Sequence, residues 1–341
     1  MIAQRSSALA GAWAATEGHP MPLCPCPFLL LAVALIAAAP ARAENYPARP
    51  VHIITPSPAG PTDALARLFA QRASEEWKQP VVVEARVGAT GTIGTEQVVK
   101  AVPDGYTLLF TVQMPITMAP ALMKLRYDPQ ADLVALGEVA RSDNVLMVNA
   151  RSGIHSLSEL IAAAKAKPGT LTFASGGGIA SPGHLCGEML KSSAGIDMIH
   201  VPYSGAAPAM NALLAGDVTA FCGPIPQGAP HIAAKTAIAL GVTGETESAF
   251  LPGVPPLAAR YPNLVISAWL ALFAPSRTPS LVTEALRAEL HKVFADAEMQ
   301  TKLASLSTES EWVTGGELAQ KIAHDTAKWK KVIESAHIRA N

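Results

Sequence analysis

The feature that most constrains this chain is a recurring three-part segment: a short apolar run, a loop of Gly, Pro and Ser, and the opening of a helix. Its clearest instance runs from Leu171-Thr-Phe-Ala-Ser175 through Gly176-Gly-Gly-Ile-Ala180 to Ser181-Pro-Gly-His184-Leu-Cys-Gly-Glu-Met-Leu190. Alternation in the first block predicts a buried strand, and the glycines predict a turn into a helix. Ser181 suits the N-cap and Pro182 the N1 position, where its missing N–H would have had no helical partner. The free N–H groups of such a first turn, together with about half a positive charge of macrodipole, form a site for an anion. The plainer reading, a tight αβ connection and nothing more, fits these residues equally well.

A second instance precedes it. Pro50-Val-His-Ile-Ile-Thr55 reads as a strand, Pro56-Ser-Pro-Ala-Gly60-Pro61-Thr-Asp63 as the loop, and Leu65, Leu68, Phe69 and Arg72 recur at helical spacing. Gly60 serves as N-cap, Pro61 as N1, and Asp63 at N3 can reach back to the Gly60 N–H, a capping role rather than a catalytic one. Two such ends facing each other would hold something negatively charged. The strand Tyr106–Phe110 is followed by Thr111 and Gln113, polar residues at the strand end where open α/β sheets bind ligands. Gly88-Ala-Thr-Gly91-Thr-Ile-Gly94 has GxxGxxG spacing after the second strand, which is not a dinucleotide fingerprint.

From Asn144 the alternation continues. Asn144–Asn149 reads as a strand, and Ser156 with Glu159 as a capping box for a helix that Pro168-Gly169 stops. Further strands are expected at His200–Tyr203, Val218–Cys222 and Ala237–Thr243, a return strand at Ile266–Phe273, and amphipathic helices beyond. This pattern predicts two α/β lobes. At the other end, Phe28–Ala39 is apolar without a break and Ala41-Arg42-Ala43 follows Pro40, a secretory signal peptide with cleavage before Glu44. The run is too short for a bilayer, which takes about 20 residues. Met21 stands as an alternative start, and Cys24 and Cys26 precede the apolar run, so no lipid anchor is indicated.

Cleavage would remove Arg5, Arg42 and Glu17, taking Lys+Arg from 26 to 24 and Asp+Glu from 27 to 26. The resulting net charge of about −2 does not suggest nucleic acid, which needs a basic face. The roughly 298 remaining residues suffice for two lobes. Cys186 and Cys222 would remain; in an oxidising compartment they could pair, but two buried thiols are the expectation. Enzyme signatures are poor. Gly178-Ile-Ala-Ser181-Pro-Gly183 misses the G-x-S-x-G elbow by one residue, no phosphate-binding G-x-x-x-x-G-K-[ST] occurs, and no His spacing suits a metal. His184 at N3 would resist protonation beside the positive helix end, as a neutral donor or a packed residue.

Tyr46-Pro-Ala-Arg-Pro-Val51, Pro58-Ala-Gly-Pro-Thr-Asp-Ala-Leu-Ala-Arg67, Asp104-Gly-Tyr-Thr-Leu-Leu109, Tyr127-Asp-Pro129, Ser181-Pro-Gly-His-Leu185, His200-Val-Pro-Tyr-Ser-Gly-Ala-Ala-Pro208 and Trp269-Leu-Ala-Leu-Phe-Ala-Pro275 lie in order along the chain. Together they resemble the Bug (Bordetella uptake gene) family, the extracytoplasmic solute receptors of tripartite tricarboxylate transporters. The resemblance covers nearly all of the chain after residue 43. It implies a type II periplasmic-binding-protein fold, two α/β lobes joined by hinge strands with the ligand cleft between them. The lobes would be 44–147 with 268–341, and 148–267, with hinges near 145–149 and 266–270.

The implied function is a periplasmic, non-enzymatic receptor, expected as a monomer without cofactor or metal, that passes a small carboxylate to membrane permease subunits. The expected ligand-binding residues are Ser57, Ala59, Gly60, Thr62, Asp63, Gln113, Ser175, Gly177, Ile179, Ser181, His184, Tyr203, Gly205 and Gly223. With no Arg or Lys in either loop, recognition would rest on backbone N–H groups, hydroxyls and bridging water. Two departures from the family pattern bear on the ligand. Pro61 replaces the second glycine of a pair and deletes an N–H, and Gly223 stands where many members carry Asp. Both favour a less polar acid. Competing readings are a receptor for a membrane sensor kinase, and a secreted hydrolase or isomerase using Ser181 or His184.

Overall fold

The computed structural model describes residues 46–56, 61–176 and 181–335. The expected signal peptide and site residues Ser57, Ala59, Gly60, Gly177 and Ile179 lie outside the described residues. In chain order the elements are β1 (Val51–Thr55), α1 (Pro61–Trp77), β2 (Val81–Ala85), α2 (Thr92–Val99), β3 (Thr107–Val112) and α3 (Ala119–Leu122). Next come β4 (Leu133–Asn149), α4 (Leu157–Ala166), β5 (Thr172–Gly176), α5 (Pro182–Ala194), β6 (Ile199–Tyr203), α6 (Ala206–Ala215), β7 (Ala220–Pro224), α7 (Ile225–Ala233) and β8 (Ala237–Val242). The chain closes with β9 (Ser267–Pro275), α8 (Ser280–Ala295), α9 (Ala297–Ser305), β10 (Glu309–Thr314) and α10 (Gly315–Ser335).

The strands lie in the order β2-β1-β3-β9-β4-β7-β5-β6, with β8 and β10 also paired to β4. The long strand β4 changes partners midway. Leu133–Asp143 pairs antiparallel with β9, whereas Asn144–Val148 pairs antiparallel with β7. Sequence alternation revealed only its last six residues. Register shifts at Ala135/Gly137 and Glu138/Ala140 break the period of two, so the first stretch does not alternate as a strand should.

This topology decides where the strand ends go. β9 runs antiparallel to both β3 and β4, so β1, β2, β3 and β4 share one direction. β7 opposes β4, and β5 and β6 run with β7. The C-terminal ends of β1–β3 and of β5–β7 therefore both lie toward the crossover at Asp143–Asn144. Side chains fasten that crossover: Thr243 Oγ1 donates to the Ile266 carbonyl at 2.7 Å and accepts from the Asn144 N–H at 2.9 Å. The Ser267 hydroxyl donates to Asp143 Oδ1 at 2.5 Å.

Each side has its own apolar core. Phe69, Phe110 and Phe294 pack between β1, β3, α1 and α8, and Phe173, Leu185 and Leu190 pack between β5 and α5. α10 belongs to both. Leu318 and Ile322 join the cluster of Leu109, Trp269 and Phe273, whereas Trp329 and Ile333, further along the same helical stripe, join that of Leu146, Leu185 and Ile266.

Candidate functional site

On the edge formed by β1–β3, Thr62 and Asp63 open α1. Asp63 is 8% exposed and accepts two hydrogen bonds from Arg67, at 2.8 and 3.2 Å, one helical turn on. An acidic side chain suits the positive end of a helix. The expected bond to Gly60 lies outside the described residues. Gly91, at φ +93°, lets the GxxG turn nestle in: a Cβ there would lie 3.0 Å from Pro56 and 3.3 Å from Pro115. Gln113 follows β3 directly and is 2% exposed. Its carbonyl accepts from Ile116 and Thr117 N–H groups, but neither atom of its side-chain amide has a hydrogen-bond partner among the described residues.

The β5–β7 edge is built more tightly. Ser181 caps α5, accepting from the His184 N–H at 3.4 Å, with Pro182 at the first helical position, as the sequence predicts. The first turn of α5 lies against backbone. A Cβ at Gly183 would fall 2.3 Å from the Cys222 carbonyl oxygen and 3.3 Å from Ser175 Cβ. That approach brings the Cα atoms of Cys186 and Cys222 to 6.5 Å, within reach of a bridge, and the two are disulfide-bonded. The expectation of two free thiols is thereby corrected. Its cause, a glycine-mediated contact between a helix and the third strand of the edge, has no local sequence signal.

The same edge gathers the other expected residues. Gly176 abuts the start of α6, where a Cβ would lie 2.4 Å from Ala206 Cα and 2.7 Å from the Gly205 carbonyl carbon. Gly205 is the N-cap of α6, and Tyr203 is the register partner of Gly176. A Cβ at Gly223 would come within 2.1 Å of the Phe221 ring, so the glycine there makes room for that ring. Ser175, Ser181, His184, Tyr203, Gly205 and Gly223 thus share one edge, while Thr62, Asp63 and Gln113 share the other.

A residue that the sequence reading did not place in the site completes the β5–β7 edge. His200 stacks on His184, and its Nε2 lies 2.8 Å from Ser175 Oγ. Burial, with His184 and Lys191 nearby, holds His200 down to about 4, and burial likewise lowers His184. Both rings are neutral at neutral pH. The β5–β6 register, which sets Phe173 opposite His200, brings His200 beside Ser175, and the first turn of α5 supplies His184. Among the described residues no group of His, Cys, Asp or Glu could hold a metal, and no helix is long and apolar enough to cross a membrane.

Comparison with known proteins agrees with this architecture. Residues 65–338 match the model of the tripartite tricarboxylate transporter family receptor. BugT of Bordetella pertussis is 33% identical over 300 residues, covering 87% of this chain and 92% of its own. The solved structure of R. palustris Rpa4515 with adipate is 29% identical with a TM-score of 0.72, covering 86% of this chain and 99% of that one. MatC (Rpa3494) from Rhodopseudomonas palustris with bound malate is 27% identical with a TM-score of 0.69, covering 84% and 100%. The fold is that of the two-lobed periplasmic binding proteins, and the chain belongs to the tripartite tricarboxylate transporter receptor family, solute-binding receptors rather than enzymes.

Proposed function

We propose that this chain is a periplasmic receptor that captures a small carboxylate between its two facing strand-end edges and delivers it to a membrane permease. The observation that carries this reading is the pairing of topology with chemistry. β1–β3 and β5–β7 direct their C-terminal ends toward one crossover, and helices α1 and α5 begin at those ends. Ser57, Ala59, Gly60, Thr62, Asp63 and Gln113 would line one side. Ser175, Gly177, Ile179, Ser181, His184, Tyr203, Gly205 and Gly223 would line the other.

In this reading the carboxylate is held by N–H groups and hydroxyls at the helix starts. Four charge-assisted hydrogen bonds at about 1.5–3 kcal/mol each give roughly 6–12 kcal/mol gross; against an association cost of at least ~4 kcal/mol, the upper end of that range reaches micromolar affinity, about −8 kcal/mol, without an ion pair. Closure about hinges near 145–149 and 266–270, beside the crossover at Asp143–Asn144, would present a ligand-dependent surface to the permease. The two ligand-bound relatives, with adipate and malate, support a carboxylate. The test is a thermal-shift screen of the purified protein against mono- and dicarboxylates, followed by analysis of the recovered compound. A ligand at a hundredfold excess over its Kd adds about 2.7 kcal/mol of stability. A stabilising acid recovered unchanged supports the reading; a converted one, or no stabilising acid at all, contradicts it.

A further inference from the structure

We propose that Gln113 reads the end of the solute remote from its carboxylate, selecting a neutral group that both donates and accepts, such as a carboxamide, over a second carboxylate. This rests on the receptor reading above and goes beyond it by naming the solute's other end.

Gln113 is 2% exposed, and among the described residues both its Nε2 and its Oε1 lack a hydrogen-bond partner. Buried amides are nearly always satisfied, so one left open at a ligand-facing strand end points to a partner from outside the protein. Its backbone, by contrast, is firmly held. The Gln113 carbonyl accepts from the Ile116 N–H at 3.0 Å, the Thr117 N–H at 2.8 Å and the Thr117 hydroxyl at 3.2 Å. These bonds fix Gln113 as the cap of the helical turn Met114–Met118. The side chain therefore projects from a fixed base.

The chemistry of the amide decides what fits. Nε2 offers two donors and Oε1 two lone pairs. A carboxylate only accepts, so it would satisfy Nε2 and leave Oε1 facing another anion. A carboxamide satisfies both at once. Two arginines of this lobe already have partners: Arg67 bonds Asp63, and Arg86 bonds Glu84 and Gln97. A second carboxylate set against the Gln113 amide would leave Oε1 unsatisfied, and the discrimination expected from one unsatisfied buried acceptor is about tenfold or more.

The experiment is calorimetry on the full chain at pH 7.5 with length-matched pairs: succinamate against succinate, glutaramate against glutarate, and adipamate against adipate. At the best-fitting length the half-amide binds at least tenfold more tightly than the diacid. Gln113→Met brings that ratio close to one by weakening the half-amide, with circular dichroism confirming the fold. A wild-type ratio of one or below overturns the proposal whether or not the variant folds, as does a ratio that Gln113→Met leaves unchanged; water, rather than solute, then satisfies the amide. Binding of monocarboxylates or diacids without amide preference refutes this proposal alone. Failure of every acid and half-amide to bind refutes the receptor reading and this proposal with it.

Discussion

His184 and His200 stack face to face, with ring centroids 3.9 Å apart and planes 12° apart, over the Phe173 ring, which lies 4.9 Å from His200. His200 takes up a proton only near pH 4 in the folded protein, against about 6.5 when unfolded. Between those values the unfolded chain binds more protons. Its contribution to stability is thus complete above about pH 6.5 and is lost as pH falls toward 4. Replacing His200 with Phe keeps an aromatic ring and removes the titration. Urea denaturation at pH 7, 5.5 and 4.5 should show a shallower acid loss for the variant, and an unchanged slope would contradict the assignment.

Glu138 gives the opposite sign. Its carboxylate is fully buried in β4 and accepts from Lys321 Nζ of α10 at 2.9 Å through both oxygens. Burial pushes it up to about 7 despite that partner. Its contribution is present below about pH 4.5 and declines as pH rises through 7. Glu138→Gln should remove that decline. Lys321→Met, which leaves a buried carboxylate unpaired, should cost about 3 kcal/mol at pH 8 and less at pH 5. Both follow from denaturation curves of each variant across pH.

The Cys186–Cys222 bridge closes a loop with a sequence separation of 36 and ties α5 to β7. Constraining a loop of that length in the unfolded chain stabilises by about 2–4 kcal/mol. Cys186→Ala with Cys222→Ala should lower stability by that amount, and thiol titration of the denatured protein beginning at Glu44, which lacks Cys24 and Cys26, should find neither remaining cysteine free. Two reactive thiols in that protein would contradict the bridge.

Gly183→Ala places a methyl group 2.3 Å from the Cys222 carbonyl oxygen. Neither helix nor strand can yield cheaply, so a loss of about 1–3 kcal/mol is expected. Because the same displacement lifts the start of α5, affinity for the solute should fall more than for Gly195→Ala. That control position, past the end of α5, has nothing within 4 Å, although its φ of +59° strains any side chain.

Much of this was legible in the sequence because its signals are local. Ser181, Pro182 and the glycines before them define a helix start within a few residues, and Gln113 is placed by the strand it follows. The helix that Ser156 caps obeys the same logic, although Glu159 reaches back to the His155 N–H, one residue earlier than a capping box requires. What was hidden depends on register and on contacts between distant elements. His200 reaches Ser175 across neighbouring strands, Cys222 meets Cys186 because Gly183 lacks a side chain, and Glu138 meets Lys321 from 183 residues away. The first eleven residues of β4 escaped because bulges break their alternation.

On the receptor reading, the solute binds where the two sets of strand ends face each other. A crystal structure of the protein grown with its best-stabilising carboxylate would show this. The carboxylate is expected within hydrogen-bond distance of N–H groups at the start of α5 or α1, with Gln113 near the solute's other end. Density for the solute elsewhere, for instance in the groove between α5 and α10 lined by Lys191, Lys328 and Lys331, would contradict it.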